Sequence, residues 1–85
     1  MQVSGVAKVA TTSDGKTVLE VAGRPAFELN RVAVSIWTKL AAGNSPGEIS
    51  SQIAQEFSAP GDLAARDVER FINKLKDNLL VYEEN

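Results

Sequence analysis

The sequence predicts an α+β fold, a winged helix-turn-helix-like plan in which a three-stranded antiparallel sheet is followed by three helices. Three observations predict it. Short alternating runs, separated by Ser13-Asp14-Gly15 and by Gly23, occupy the N-terminal part of the chain. Phe27-Glu28-Leu29-Asn30 then joins the end of a strand to a helix carrying Ile36-Trp37. Two more stretches with apolar residues at helical spacing follow, the first of them opened by Ser45-Pro46-Gly47-Glu48.

The first strand is expected over residues 3–12, with Val3, Gly5, Ala7 and Val9 on one face and Ser4, Val6, Lys8 and Ala10 on the other. Ser13-Asp14-Gly15 marks a turn in which Gly15 takes positive φ. The second strand covers residues 16–22, where Thr17, Leu19 and Val21 alternate with Val18 and Glu20. Gly23 breaks it, and residues 24–29 form a third strand. Proline cannot donate to a ladder, so Pro25 places this third strand at a sheet edge. An open edge is either protected or used. It leaves two states open for the chain, a monomer or an edge-strand dimer.

Asn30 is a good N-cap for the first helix, residues 31–42, because its side chain can accept from the free N–H groups of the first turn. Val32 or Ala33, Ile36, Trp37 and Leu40 recur along its inner face, and Gly43 ends it. Ser45-Pro46-Gly47-Glu48 reads as a capping box with proline at the first helical position. Ile49, Ile53 and Phe57 line one face of this second helix. Pro60-Gly61 interrupts the chain, Asp62 is the expected cap of the third helix, and Val68, Phe71, Ile72, Leu75 and Leu79 form its apolar stripe. Leu80-Val81-Tyr82 is expected to add a short strand, and residues 83–85 are expected to fray.

Composition excludes several functions. The 85 residues are one domain's worth, residues 1–85, and hydrophobic residues make up 44% of them. A domain of this size buries about 60–65% of the surface its unfolded chain exposes, so a bound partner adds usefully to its stability. There is no cysteine and no histidine, which removes disulfides, thiol nucleophiles, histidine bases and the usual zinc ligands. No catalytic residues, metal site or cofactor are expected. No stretch reads as a signal peptide or approaches the length of a membrane span, so a cytoplasmic protein with no membrane partner is the expectation. The formal net charge is −2, so the chain does not advertise the basic face of a nucleic-acid binder.

The order of these signals resembles the PqqD-like proteins, the small peptide-recognition elements of pathways that modify ribosomally made peptides. The resemblance rests on Phe27-Glu28-Leu29-Asn30, Ile36-Trp37, Gly43, Ser45-Pro46-Gly47-Glu48-Ile49, Asp67-Val68, Leu75 and Leu79-Leu80, and it runs from Thr17 to Val81. The compact form is most like the free-standing leader-binding proteins of lasso-peptide biosynthesis. The resemblance implies a non-catalytic protein that binds the leader of a precursor peptide and presents it to a leader peptidase or other maturation enzyme, a cyclase of the same pathway being a further candidate partner. It further implies that the leader adds as a strand to the third strand and lies against the third helix, residues 62–78, in the mode of β-augmentation.

That implied mode names the candidate site. Arg24, Ala26, Phe27 and Glu28 belong to the strand that would take the leader's backbone, with Arg24, Ala26 and Glu28 expected on the face opposite Phe27 and Leu29. Asp67, Arg70 and Lys74 form a polar strip on the third helix beside Val68, Phe71 and Leu75. The plainer reading of the strip is a solvated helix flank, and of Val68 and Leu75 the core. Trp37 reads as core and Asn30 as a cap. The alternative function is a small winged-helix DNA-binding regulator. It finds Arg66, Arg70, Lys74 and Lys76 on the third helix but also Asp67, Glu69 and Asp77 interleaved with them.

Overall fold

The computed structural model describes residues 2–82. Its elements are β1 (Gln2–Val3), β2 (Ala7–Thr11), β3 (Thr17–Val21), β4 (Arg24–Glu28), α1 (Arg31–Ala41), α2 (Pro46–Glu56), α3 (Gly61–Asp77) and β5 (Val81–Tyr82). An antiparallel three-stranded sheet, ordered β2-β3-β4, is followed by the three helices, as the residue pattern predicts.

The expected first strand is in fact two. Ser4 to Val6 form a turn, in which Ala7 N–H donates to the Ser4 carbonyl at 3.2 Å. The residues before it leave the main sheet and pair antiparallel with the far end of the chain, Gln2 with Tyr82 and Val3 with Val81. Ser4 N–H extends that pairing to the Leu80 carbonyl at 2.7 Å. The Leu80-Val81-Tyr82 segment thus does contain a strand, and its partner is the start of the chain. The expected fraying of residues 83–85 lies outside the described residues.

Turn chemistry sets the hairpins. Between β2 and β3, Thr12 N–H donates to the Lys16 carbonyl at 2.8 Å, the Thr12 hydroxyl bonds the Asp14 carboxylate, and Gly15 has φ +86. Between β3 and β4 the loop is only Ala22 and Gly23, with φ 53 and 82. Two consecutive positive φ values make a type I′ turn, whose twist suits a two-residue hairpin. The register then shifts once. Val21 faces Arg24 and Glu20 faces Pro25, but Leu19 faces Phe27 and Val18 faces Glu28, so Ala26 is the extra residue of a bulge. Directly opposed residues share a face of the sheet, so Arg24 lies on the face of Val21, Leu19 and Phe27. The expected grouping of Arg24 with Glu28 is corrected by that shift.

The caps fall where local chemistry puts them. Asn30 Oδ1 accepts from Ala33 N–H at 2.8 Å. Ser45 Oγ accepts from Glu48 N–H at 3.2 Å while Glu48 Oε1 accepts from Ser45 N–H at 3.0 Å, a reciprocal capping box. The third helix differs from expectation. It begins at Gly61 with Pro60 at the cap, and Pro60's carbonyl accepts from Ala64 N–H at 3.0 Å. Asp62 therefore sits inside the first turn, where its charge favours the helix dipole instead of capping.

All three helices end in the same way. Asn44 N–H reaches back to the Lys39 carbonyl at 3.1 Å, Ala59 to Ala54 at 3.0 Å and Leu80 to Leu75 at 2.9 Å. Each closure needs a left-handed residue just before it, supplied by Gly43, Ser58 and Leu79. Leu79 consequently points away from the helix stripe and is 85% exposed, a correction to its expected place in the core. The next residue, Leu80, is buried in its stead.

The core gathers Leu19 from the sheet, Ile36, Trp37 and Leu40 from α1, Ile49 and Ile53 from α2, and Val68, Ile72 and Leu75 from α3. Each large side chain buried there contributes about 1.5–3 kcal/mol relative to exposure. Leu29, at the strand–helix junction, belongs to the same cluster, which anchors the β4–α1 corner. α1 and α2 are further joined by Ser35, Lys39 and Glu56, with Lys39 Nζ 3.1 Å from Glu56 Oε1 and Ser35 Oγ donating to the same carboxylate.

Candidate functional site

Because the sheet order ends in β4, one side of that strand has no ladder partner among the described residues. Its five residues are Arg24, Pro25, Ala26, Phe27 and Glu28, and only Phe27 is even half-buried. The sheet therefore presents the third of the sequence-predicted strands as an open edge, in keeping with the proline it carries.

α3 approaches this strand. Lys74 Nζ stands 4.6 Å from the centroid of the Phe27 ring. Phe27 is placed there by its pairing with Leu19, which turns it to the core face of the sheet, where it packs against the buried cluster. One helical turn before Lys74, Arg70 and Phe71 border a groove of about 280 Å³ whose other wall is the first half of α1. Its lining is Asn30, Val32, Ala33 and Ile36 on one side and Asp67, Arg70, Phe71 and Lys74 on the other. Asp67, Arg70 and Lys74 thus come together around an apolar floor, through their i, i+3 and i, i+4 spacing on one helix face.

The electrostatics of the groove are open. Arg24, Arg70, Lys74 and Asp67 form no ion pair among the described residues. Lys74 has a ring beneath it in place of a carboxylate. The carboxylates that are held below their ordinary range lie elsewhere. Glu48 is lowered by the Ser45 backbone N–H and then by the Ser45 hydroxyl, and Glu56 by the Ser35 hydroxyl and then by Lys39.

Of the remaining predicted site residues, two lie deeper and three lie at the surface. Val68 and Leu75 are 1% and 0% exposed, inside the core beneath the polar strip. Ala26 and Glu28 are exposed on β4, and Arg24 is exposed at its start. Sequence reasoning missed Val32, Ala33 and Ile36 as groove residues because it assigned that stripe wholly to the core. The signal was available: Val32 and Ala33 stand side by side and widen the apolar stripe beyond one packing row. A second, larger groove of about 810 Å³ lies on the other flank of α1, between the β2–β3 loop and the end of α2, and includes Glu28 and the Ser35–Lys39–Glu56 cluster. Its walls combine the charged Lys16, Arg31, Lys39 and Glu56 with the apolar Leu29, Val34 and Phe57, and Lys39 and Glu56 are already paired with each other.

Among the described residues no group of histidine, cysteine, aspartate or glutamate side chains is placed to hold a metal ion. No helix among them is long and apolar enough to cross a membrane.

The family model described as coenzyme PQQ synthesis protein D (PqqD) matches residues 15–81. No protein of curated function matches the sequence. Among solved structures, TbiB1 in complex with the TbiA(beta) leader peptide has a TM-score of 0.78 and 28% identity over 100% of this chain and 99% of that one. A lasso peptide synthetase B1 complexed with the leader peptide has a TM-score of 0.76 and 25% identity, over 96% of each chain.

Proposed function

The chain belongs to the PqqD family, and from that premise we propose that it is a non-catalytic binder of the leader segment of a ribosomally made precursor peptide. The leader adds as a strand to β4 and sets its side chains into the groove between α1 and α3. The single observation that carries this reading is the position of that groove beside an unpaired sheet edge, with Lys74 of α3 reaching over Phe27 of β4. The likeness to two proteins whose solved structures hold leader peptides supports it.

In this reading each part has a role. Arg24, Ala26, Phe27 and Glu28 form the receiving strand, whose main chain gives affinity. Asp67, Arg70, Phe71 and Lys74 select leader side chains, and Val68 and Leu75 hold the helix that carries them. The protein raises the local concentration of the precursor at a leader peptidase and at a cyclase of the same pathway, by tethering and without chemistry of its own. It acts in the cytoplasm, as one domain over residues 1–85, in lasso-peptide biosynthesis.

The test is a calorimetric titration of the protein with the leader segment of the precursor peptide encoded beside its gene, at about 50 and 200 mM salt. Binding that weakens by less than about tenfold between them is the expected result, since few charges are paired. Duplex DNA is the control, because a protein that contacts 6–10 phosphates loses about 10³–10⁵ in affinity over the same range. Failure to bind the leader, with tight and steeply salt-dependent binding to DNA, replaces this reading with the DNA-binding one.

A further inference from the structure

The β4 edge is poor in donors at a defined place. Three backbone hydrogen bonds fix the direction in which the strands' peptide groups face. Thr12 N–H donates to Lys16 and Ala22 N–H to Val6, at 2.8 and 2.9 Å, so by antiparallel alternation Val18 and Glu20 turn their groups toward β2. Leu29 N–H donates to the Thr17 carbonyl at 2.8 Å, so Thr17, Leu19 and Val21 turn theirs toward β4. Their partners Phe27 and Arg24 are thereby occupied.

What remains facing outward are the residues opposite Glu20 and Val18, namely Pro25 and Glu28, with Ala26 in the register shift between them. Pro25 has no N–H. These two positions therefore present two carbonyls and one N–H, and that N–H is Glu28's.

We infer that a strand added to this edge is held by a two-bond pair made with the backbone N–H and carbonyl of Glu28, and that Pro25 withholds a donor the edge would otherwise present opposite Glu20. The inference rests on the leader-binding reading and deepens it. Two consequences follow from the donor count. The leader residue opposite Glu28 must have its own N–H, so it is not a proline. Two β4 edges paired with each other would lack a donor at each Pro25, so the proline also disfavours a second copy of this chain as occupant.

The experiment is amide hydrogen exchange on the ¹⁵N-labelled full chain, alone and saturated with the synthetic leader peptide. Glu28 N–H is expected to slow at least tenfold, while Arg24 and Phe27, already bonded to β3, change less than about threefold. Pro25→Ala is the second arm. It is expected to add a protected amide at position 25 and to tighten leader binding by about threefold to tenfold, the worth of one net hydrogen bond. Saturation that leaves the Glu28 amide unchanged overturns this inference alone. A Pro25→Ala protein that folds and binds with unchanged affinity and no new protection overturns it as well. A leader that does not bind at all overturns the leader-binding reading and this inference with it.

Discussion

Lys74 holds its ammonium nitrogen 4.6 Å from the centroid of the Phe27 ring, and that contact joins α3 to the open strand. The ring's negative face attracts the cation, and at an exposed site the attraction is worth about 0.5–1 kcal/mol. Lys74→Met is expected to lose about that amount, and Phe27→Leu slightly more because packing is lost too. A double-mutant cycle in urea denaturation checks it. A coupling energy near zero would show the two side chains to be neighbours without interaction.

Core and groove separate by mutation on α3. Leu75 is fully buried, so Leu75→Ala is expected to cost about 2–5 kcal/mol and to lower the melting temperature steeply. Asp67 and Arg70 are exposed, so Asp67→Ala and Arg70→Ala should each change stability by less than about 0.5 kcal/mol. On the leader-binding reading, Arg70→Ala weakens leader binding by about tenfold, which is about 1.4 kcal/mol. Thermal melts and titrations of the same three variants make the comparison.

The helix ends offer stabilising changes. Leu79 and Ser58 hold left-handed φ values of 58 and 50 at positions where glycine is free of strain. Leu79→Gly is expected to raise stability by about 0.5–1 kcal/mol and Ser58→Gly by a similar amount. For a domain of this size that is a rise of about 2–8 °C in melting temperature. Leu79→Val, with a β-branched residue forced into the same φ, should move the melt the other way.

Acid stability should depend on two glutamates. Glu48 and Glu56 have folded-state pKa values below the ordinary 4.5, so each favours the native state when ionised. Their contribution is complete above about pH 4.5 and fades as pH falls through the lowered native values. Glu56→Gln and Glu48→Gln are each expected to lower the urea midpoint at pH 7 and to narrow the gap to wild type at pH 3. A gap that stays constant between those pH values would remove the ionised carboxylates from the account.

How much was legible is clearest in pairs of neighbouring features. The caps at Asn30 and Ser45 were readable because a side chain and the N–H it binds are three residues apart, and nothing distant intervenes. The cap of α3 was misread at Asp62, since a capping residue in sequence says nothing of where the preceding proline directs the chain. Phe71 and Lys74 were legible as a helix strip from spacing alone. Their meeting with Val32, Ala33 and Ile36 was not, because it depends on how α1 and α3 cross over the core.

By itself the sequence determined what is local or periodic: the strand and helix types, Gly43 as the end of α1, the edge position that Pro25 demands, and the family to which the junction at Phe27-Glu28-Leu29-Asn30 points. Only the tertiary structure decided the split of the first strand, the bulge at Ala26 and the outward turn of Leu79. Each of these depends on a partner far along the chain. Val3 leaves the main sheet because Val81 arrives to pair with it. Ala26 is extra only relative to the register of β3. Leu79 takes a strained φ because doing so carries Leu80 into the core. Alternation and propensity describe one segment at a time, whereas register and burial are properties of two segments together.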